Sequence, residues 1–138
     1  MSWSIGDAAE TSKTISESDV YLFAGITGDF NPMHVNAVYA NNTRFGGRIA
    51  HGMLVASHLC TVLGMTLPGP GTIHVEQSLR FLGPVAIGDT ITARVEITEI
   101  FSVEQRSRMR LHTTIKNQDG DLVVDGDAIV KPPSTSRV

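Results

Sequence analysis

Cysteine is almost absent from this chain: Cys60 is the only one among 138 residues, so no disulfide can form within it. No apolar run approaches the ~18 residues that a membrane-spanning helix needs. The sequence has no cluster of lysine or arginine, and its formal net charge is −3 with neutral histidines. These absences exclude a disulfide scaffold and argue against transmembrane helices, and we expect neither nucleic acid nor a membrane as a partner.

The remaining composition fits one globular domain. A chain of this length buries roughly two-thirds of its unfolded surface, so it needs no covalent or metal staples. We predict a single domain over residues 1–132 and a disordered tail over residues 133–138. The N-terminal stretch MSWSIGDAAETSKT has neither a basic region nor an apolar core, which predicts no secretory signal. Together with the lone cysteine, this favours a reducing, cytoplasmic location.

Helix signals fill the first half of the chain. Ser16, with an acidic residue three positions later, forms a capping-box pattern that predicts a helix over residues 16–25. Asn31 followed by Pro32 has the pattern of an N-cap and a first helical residue. We expect this second helix to continue to about Arg44.

In the second half of the chain, the spacing of apolar residues changes from a helical period to a strand period. Residues 52–65 are apolar around nearly the whole helical wheel, which predicts a helix that is buried on all sides. Strand-like residues follow, first over residues 72–82 and then in alternating strands that include a hairpin turn at residues 117–120. The most economical arrangement is α+β: a single domain with an antiparallel sheet wrapped around the long buried helix.

The segment GDFNPMH, residues 28–34, holds the candidate catalytic groups. His34 falls in the first turn of the predicted helix, where the helix dipole disfavours imidazolium, so we expect a neutral ring that can accept a proton. Asp29 lies just outside that helix and is placed to reach the same point from the other side. A carboxyl and an imidazole that converge on one water form an acid/base pair. The alternative is capping alone, since these residue types are common at helix starts.

A second element stands at the start of the predicted buried helix. Gly52 offers an unhindered backbone N–H at the helix N-terminus, where developing negative charge is stabilised as in an oxyanion hole. The alternative is that Gly52 only permits close packing. Ser57 is placed either to hydrogen-bond within the helix or to orient a catalytic group.

The stretches FAGITGDFNPMHVN and RFGGRIAHGMLVAS together resemble the MaoC-like (R)-specific enoyl-CoA hydratases, also called hydratase 2. The resemblance is greatest to the short single-domain forms linked to polyhydroxyalkanoate synthesis, and it covers nearly the whole chain. It implies a hot-dog fold, which agrees with the arrangement predicted above. By this resemblance, Asp29 and His34 match the catalytic pair. Asn31 matches the motif's asparagine, Gly52 the oxyanion-hole glycine, and Ser57 a serine near the active site.

The resemblance also implies a reaction, in which water adds to a trans-2-enoyl-CoA and gives an (R)-3-hydroxyacyl-CoA. His34 would take a proton from the water, Asp29 would deliver one to C2, and the Gly52 N–H would stabilise the enolate. Because both side chains come from one short segment, we expect syn addition. The thioester supplies the activation, so no cofactor is expected. An open sheet edge and the length of a CoA thioester lead us to expect a homodimer.

Three other functions stay open at this point. A hot-dog acyl-CoA thioesterase would place a carboxylate on or beside the central helix, but residues 52–65 contain neither Asp nor Glu. A non-catalytic acyl-binding module would not need an acid/base pair. A dehydratase that acts on acyl carrier proteins would use the same residues as the hydratase.

The other histidines and the cysteine carry less functional signal. His51 and His58 are seven positions apart, which matches no known zinc pattern, so we expect no metal site. Cys60 lies in the apolar helix without a basic neighbour, and we expect it in the core.

Overall fold

The computed structural model describes residues 2–134, which form one antiparallel sheet and five short helices. In chain order the elements are β1 (Ala8–Thr14), α1 (Glu17–Thr27), α2 (Pro32–Val35), α3 (Ala37–Asn41), α4 (Gly52–Ala56), α5 (His58–Met65), β2 (Ile73–Gln77), β3 (Arg80–Phe81), β4 (Thr90–Val103), β5 (Arg106–Lys116) and β6 (Leu122–Lys131).

The sheet has the strand order β1-β4-β5-β6-β2, and β3 also pairs with β6. Helix α5 packs against β1, β2, β4 and β5, so the sheet curves around it. The alternation in β4 puts Ile91, Ala93, Val95 and Ile97 in the core, as the sequence predicted. Burial of each valine or isoleucine side chain contributes about 1.5–3 kcal/mol. The fold is the hot-dog arrangement, and the α+β prediction is confirmed.

The first predicted helix is confirmed as α1, with Ser16 as its N-cap. The Ser16 hydroxyl accepts a hydrogen bond from the Asp19 N–H at 3.1 Å, and the Asp19 carboxylate accepts one from the Ser16 N–H at 2.9 Å. This bond from the Ser16 backbone is the main reason that the pKa of Asp19 lies below its ordinary value. Gly28 ends the helix in the left-handed conformation, with φ 78°.

The second predicted helix, from Pro32 to about Arg44, is wrong in its extent. The chain forms two short helices, α2 and α3, which are separated at Asn36. Asn36 is extended, with φ −119° and ψ 103°, and its side chain accepts a hydrogen bond from the Tyr39 N–H. Asparagine therefore caps a new helix here in preference to continuing the old one, as its short amide side chain favours.

The central helix differs from the prediction in two respects. It is divided at Ser57 into α4 and α5, and it is not buried on all sides. Its inner face is covered by the sheet, but Met53 and Met65 are 56% and 71% exposed. Cys60 is also exposed, so its expected place in the core is wrong. The physical reason is that one curved sheet covers a helix from one side only.

The predicted strand over residues 72–82 is interrupted between β2 and β3. The chain there passes directly over Gly126 of β6, where an added Cβ would lie 1.9 Å from the Ser78 carbonyl oxygen. Only glycine permits this approach, and alternation along the sequence does not reveal it.

Within residues 2–134, no helix has both the length and the apolar character required to cross a membrane. The predicted boundary at residue 132 stays a prediction, because residues 135–138 of the expected tail lie outside the described residues.

Candidate active site

Two adjoining cavities open beside the start of α4. The first, of about 580 Å³, is lined by Asp29, His34, His51 and Gly52, together with Phe23, Thr27, Met53 and Phe81. The second, of about 350 Å³, has largely apolar walls and shares His34, Gly52 and Phe81 with the first. The structure therefore brings three of the sequence-predicted residues, Asp29, His34 and Gly52, to one place.

Asp29 lies on the irregular segment between α1 and α2. Its backbone N–H donates to the Thr27 hydroxyl at 3.2 Å, and its carboxylate accepts the Asn31 N–H at 3.1 Å. Asn31 also caps α2, because its side-chain oxygen accepts the Met33 N–H at 3.1 Å. Asn31 thus makes local hydrogen bonds at both ends of this turn. Asp29 itself is exposed and lines the first cavity.

His34 is half-buried in α2, and a distant carbonyl sets its tautomer. Its Nδ1 lies 2.7 Å from the Ile49 carbonyl oxygen, and a carbonyl only accepts, so Nδ1 carries a proton. In the neutral ring Nε2 then keeps the lone pair that can accept a proton from water. Because α2 is only four residues long, this carbonyl gives a stronger basis for the expected chemistry than a helix dipole does.

Gly52 is the first residue of α4, so its backbone N–H has no acceptor within the helix. The Phe81 ring lies against it, and an added Cβ would be 2.9 Å from Phe81 Cε1. Both interpretations of Gly52 are therefore compatible with the structure. Its backbone N–H has no acceptor within the helix, and its lack of a side chain permits the close approach of the Phe81 ring.

Ser57 is not brought to this place. Its hydroxyl donates to the Leu54 carbonyl within the central helix, and it lines neither of the two cavities.

The sequence analysis considered His51 only as a metal ligand and gave it no role, although it adjoins Gly52. His51 is only 2% exposed, and its Nε2 lies 2.9 Å from the Asp29 carbonyl oxygen. Its ring lies against that of His34, with centroids 3.9 Å apart and an interplanar angle of 30°. The sequence feature that could have indicated a role for His51 is its position at the predicted helix start, directly before Gly52.

Asp29, His34 and His51 each offer a ligand atom within 4.8 Å of the others, which is close enough for all three to approach one metal ion. A metal ion lies in the plane of each imidazole that binds it. The two rings here are closely stacked with only a 30° tilt, so their lone pairs converge poorly on one point. Each ring also already uses one nitrogen on a backbone carbonyl. This arrangement fits a hydrogen-bonded cluster better than a ligand set.

An ion pair fixes the segment that leads into α4. Arg48 donates to the Glu17 carboxylate at 2.6 Å and to the Tyr21 hydroxyl at 2.9 Å, which ties this segment to α1. The bond from Arg48 is the largest cause of the lowered pKa of Glu17.

Comparison with known proteins gives consistent matches. The profile of a family described as "MaoC like domain" matches residues 4–118. An (R)-specific enoyl-CoA hydratase of Rhodospirillum rubrum is 50% identical over 129 residues, 94% of this chain and 88% of the relative. A solved (R)-hydratase of Aeromonas caviae, described as involved in PHA biosynthesis, superposes with a TM-score of 0.91 at 42% identity, covering 96% and 98% of the two chains.

A third relative is named for a substrate carried on acyl carrier protein and not on CoA. A mitochondrial 3-hydroxyacyl-[acyl-carrier-protein] dehydratase of Solanum lycopersicum is 36% identical over 130 residues, 94% of this chain and 78% of the relative. The family profile covers most of the chain, and the matches to these relatives span between 78% and 98% of their lengths. The chain therefore belongs to the family of MaoC-like domains.

Proposed function

We propose that this protein is an (R)-specific enoyl-CoA hydratase, a hydro-lyase that adds water to trans-2-enoyl-CoA and forms (R)-3-hydroxyacyl-CoA. The observation that carries the proposal is that Asp29, His34 and Gly52 line one cavity. The hydratase from Rhodospirillum rubrum, identical at half of the matched positions, supports the substrate class.

Each group has one role in the reaction. Nε2 of His34 takes a proton from the water as its oxygen bonds to C3. The Gly52 N–H donates to the thioester oxygen, which gains negative charge as the enolate forms. Asp29 enters the step protonated and delivers its proton to C2, and the proton on His34 then returns to the Asp29 carboxylate through water, which resets both groups. Asp29 and His34 line the same cavity, so both new bonds form on one face of the alkene.

The second cavity gives the acyl chain a place. Its walls include Ala50, Val55, Val85 and Val124, which are buried and apolar. It joins the first cavity at His34 and Gly52, so an acyl chain lying there would put its thioester beside Gly52 and near His34. No cofactor takes part in this scheme, because the thioester itself polarises the double bond.

A dehydratase that acts on acyl carrier proteins is the second candidate. The relative from Solanum lycopersicum favours it, and the reacting groups would be the same. The thioesterase alternative is weaker, since α4 and α5 supply no carboxylate. The test is to follow the loss of crotonyl-CoA absorbance, analyse the product's chirality, and repeat the assay with crotonyl-loaded acyl carrier protein.

We also propose that the protein acts as a homodimer in the cytoplasm. Among residues 2–134, no strand pairs with the outer side of β2, and edge strands of this kind pair with other chains. Exposed apolar side chains lie on this strand and on the adjoining outer face of the central helix, namely Met53, Met65, Ile73 and Val75. A second copy of the same face would cover both features. The single cysteine suits a reducing compartment.

A further inference from the structure

His51 is the buried histidine that the proposed reaction leaves without a role. It is the N-cap residue of α4, yet its side chain makes no capping hydrogen bond. We propose that His51 is a positioning residue, which holds Asp29 and His34 in register with the Gly52 N–H. The inference rests on the proposed function and assigns this cavity a further member.

The first contact fixes the backbone of Asp29. His51 Nε2 lies 2.9 Å from the Asp29 carbonyl oxygen across 22 residues of sequence, and the acceptor carbonyl requires the proton on Nε2. The remaining bonds at Asp29 are local, to Thr27 and Asn31. The His51 bond is therefore the contact that ties this loop to the start of α4.

The second contact restricts the ring of His34. The two imidazoles have centroids 3.9 Å apart, and Phe23 contacts His51 with centroids 4.9 Å apart. His34 is thus held by the Ile49 carbonyl at one nitrogen and by the His51 ring along its face. Both contacts oppose rotation of the ring, so the direction of Nε2 is fixed.

The covalent structure supplies the third link. Because Gly52 directly follows His51, the residue that fixes the acid/base pair also fixes the N–H proposed to bind the thioester oxygen. A shift of about 1 Å between reacting groups is enough to lower rates by on the order of 100-fold, so this register matters.

Stability alone does not explain a histidine here. Nδ1 of His51 is buried and has no hydrogen-bond partner among the described residues. A buried unpaired nitrogen opposes folding, and an apolar ring of similar size would avoid it. The Nε2 bond to Asp29 is what such a ring would lack.

The test compares two variants that separate the donor from the ring. His51→Phe keeps an aromatic ring and loses the donor, whereas His51→Gln keeps a donor near the Nε2 position and loses the ring. We expect His51→Phe to lower kcat by about 10-fold to 100-fold with KM changed less than about twofold. His51→Gln should retain several-fold more kcat than His51→Phe.

A matched control is His58→Gln, which removes another helix histidine whose Nδ1 lies 3.0 Å from a backbone carbonyl. It should keep the wild-type kcat. Wild-type kcat in His51→Phe would overturn the proposal, as would an equal loss of kcat in His58→Gln.

A measurement on the wild-type protein tests the positioning role of His51 even if a variant does not fold. Long-range ¹H–¹⁵N spectra should show the Nε2–H tautomer at His51 with a slowly exchanging proton. Wild-type hydration activity with an Nδ1–H tautomer at His51 would overturn the positioning role alone. Absence of hydration by the wild type would overturn the proposed function, and the positioning role of His51 with it.

Discussion

Nδ1 of His34 lies 2.7 Å from the carbonyl oxygen of Ile49, fifteen residues further along the chain. The backbone of Ile49 returns the contact, since its N–H donates to the Met33 carbonyl at 3.2 Å. These two bonds attach α2 to the segment that enters α4. The bond from Nδ1 also leaves Nε2 as the basic nitrogen of His34, which is the starting point for the chemistry proposed for this cavity.

Loss of either acid/base group should abolish most of the activity. We expect Asp29→Asn and His34→Ala each to lower kcat with crotonyl-CoA by at least ~100-fold, the usual scale for such groups. Thermal unfolding should show that Asp29→Asn folds as the wild type does, because the carboxyl is exposed. A near-wild-type rate in either variant would remove that residue from the mechanism.

Gly52→Ala should lower kcat because its Cβ would meet the Phe81 ring at 2.9 Å and shift the helix start or the ring. A displacement of this kind predicts a loss on the order of 10-fold to 100-fold. The matched control is Gly25→Ala in α1, where an added Cβ meets nothing within 4 Å. Equal rates for the two variants would contradict the expected displacement at the start of α4.

The proposed dimer should dissociate when charge is placed on its edge strand. Val75→Lys in β2 should give monomers in sedimentation velocity at micromolar concentration, because lysine on an edge strand opposes pairing. Val38→Lys in α3 replaces another exposed valine and should leave the dimer intact. A wild-type protein that sediments as a fully active monomer would rule out the dimer.

The capping box of α1 should make stability depend on pH through Asp19. The pKa of Asp19 is lowered in the folded protein, so its ionised form stabilises the fold above its unfolded pKa. That contribution is lost as the pH falls through the lower, folded pKa. Urea unfolding should therefore show Asp19→Asn to be less stable than wild type at pH 7, with a gap that narrows toward about pH 3. A gap that does not change with pH would contradict this origin.

Removal of the Ser16 hydroxyl tests the same N-cap of α1 at neutral pH. Ser16→Ala should lower the free energy of unfolding by about 1 kcal/mol, since it removes the acceptor for the Asp19 N–H. The measurement is urea unfolding at pH 7. An unchanged midpoint would mean that the cap contributes nothing measurable.

Local signals predicted local structure well in this chain. The capping box at Ser16, the Asn31-Pro32 helix start and the alternation in β4 all describe contacts within a few residues, and the structure contains each of them. The continuous helix after Pro32 failed because Asn36 caps a new helix with its own side chain. Periodicity does not register such a competing hydrogen bond.

Contacts between distant segments could not be predicted from these local patterns. The approach of Ser78 to Gly126, the ring of Phe81 over Gly52 and the link from His51 to Asp29 all depend on how the sheet closes around the helix. The exposed face of α5 was missed for a related reason. Apolar character on every side indicates a partner for every side, but it does not tell whether that partner lies in the same chain.

The stereochemistry of hydration tests the central claim most directly, because Asp29 and His34 line one cavity and should act from one face. Crotonyl-CoA should be hydrated in deuterated water and both new stereocentres of the product determined. The account predicts the (R) configuration at C3, with deuterium at C2 on the same face as the new hydroxyl. An (S) product, or an (R) product formed by anti addition, would contradict it.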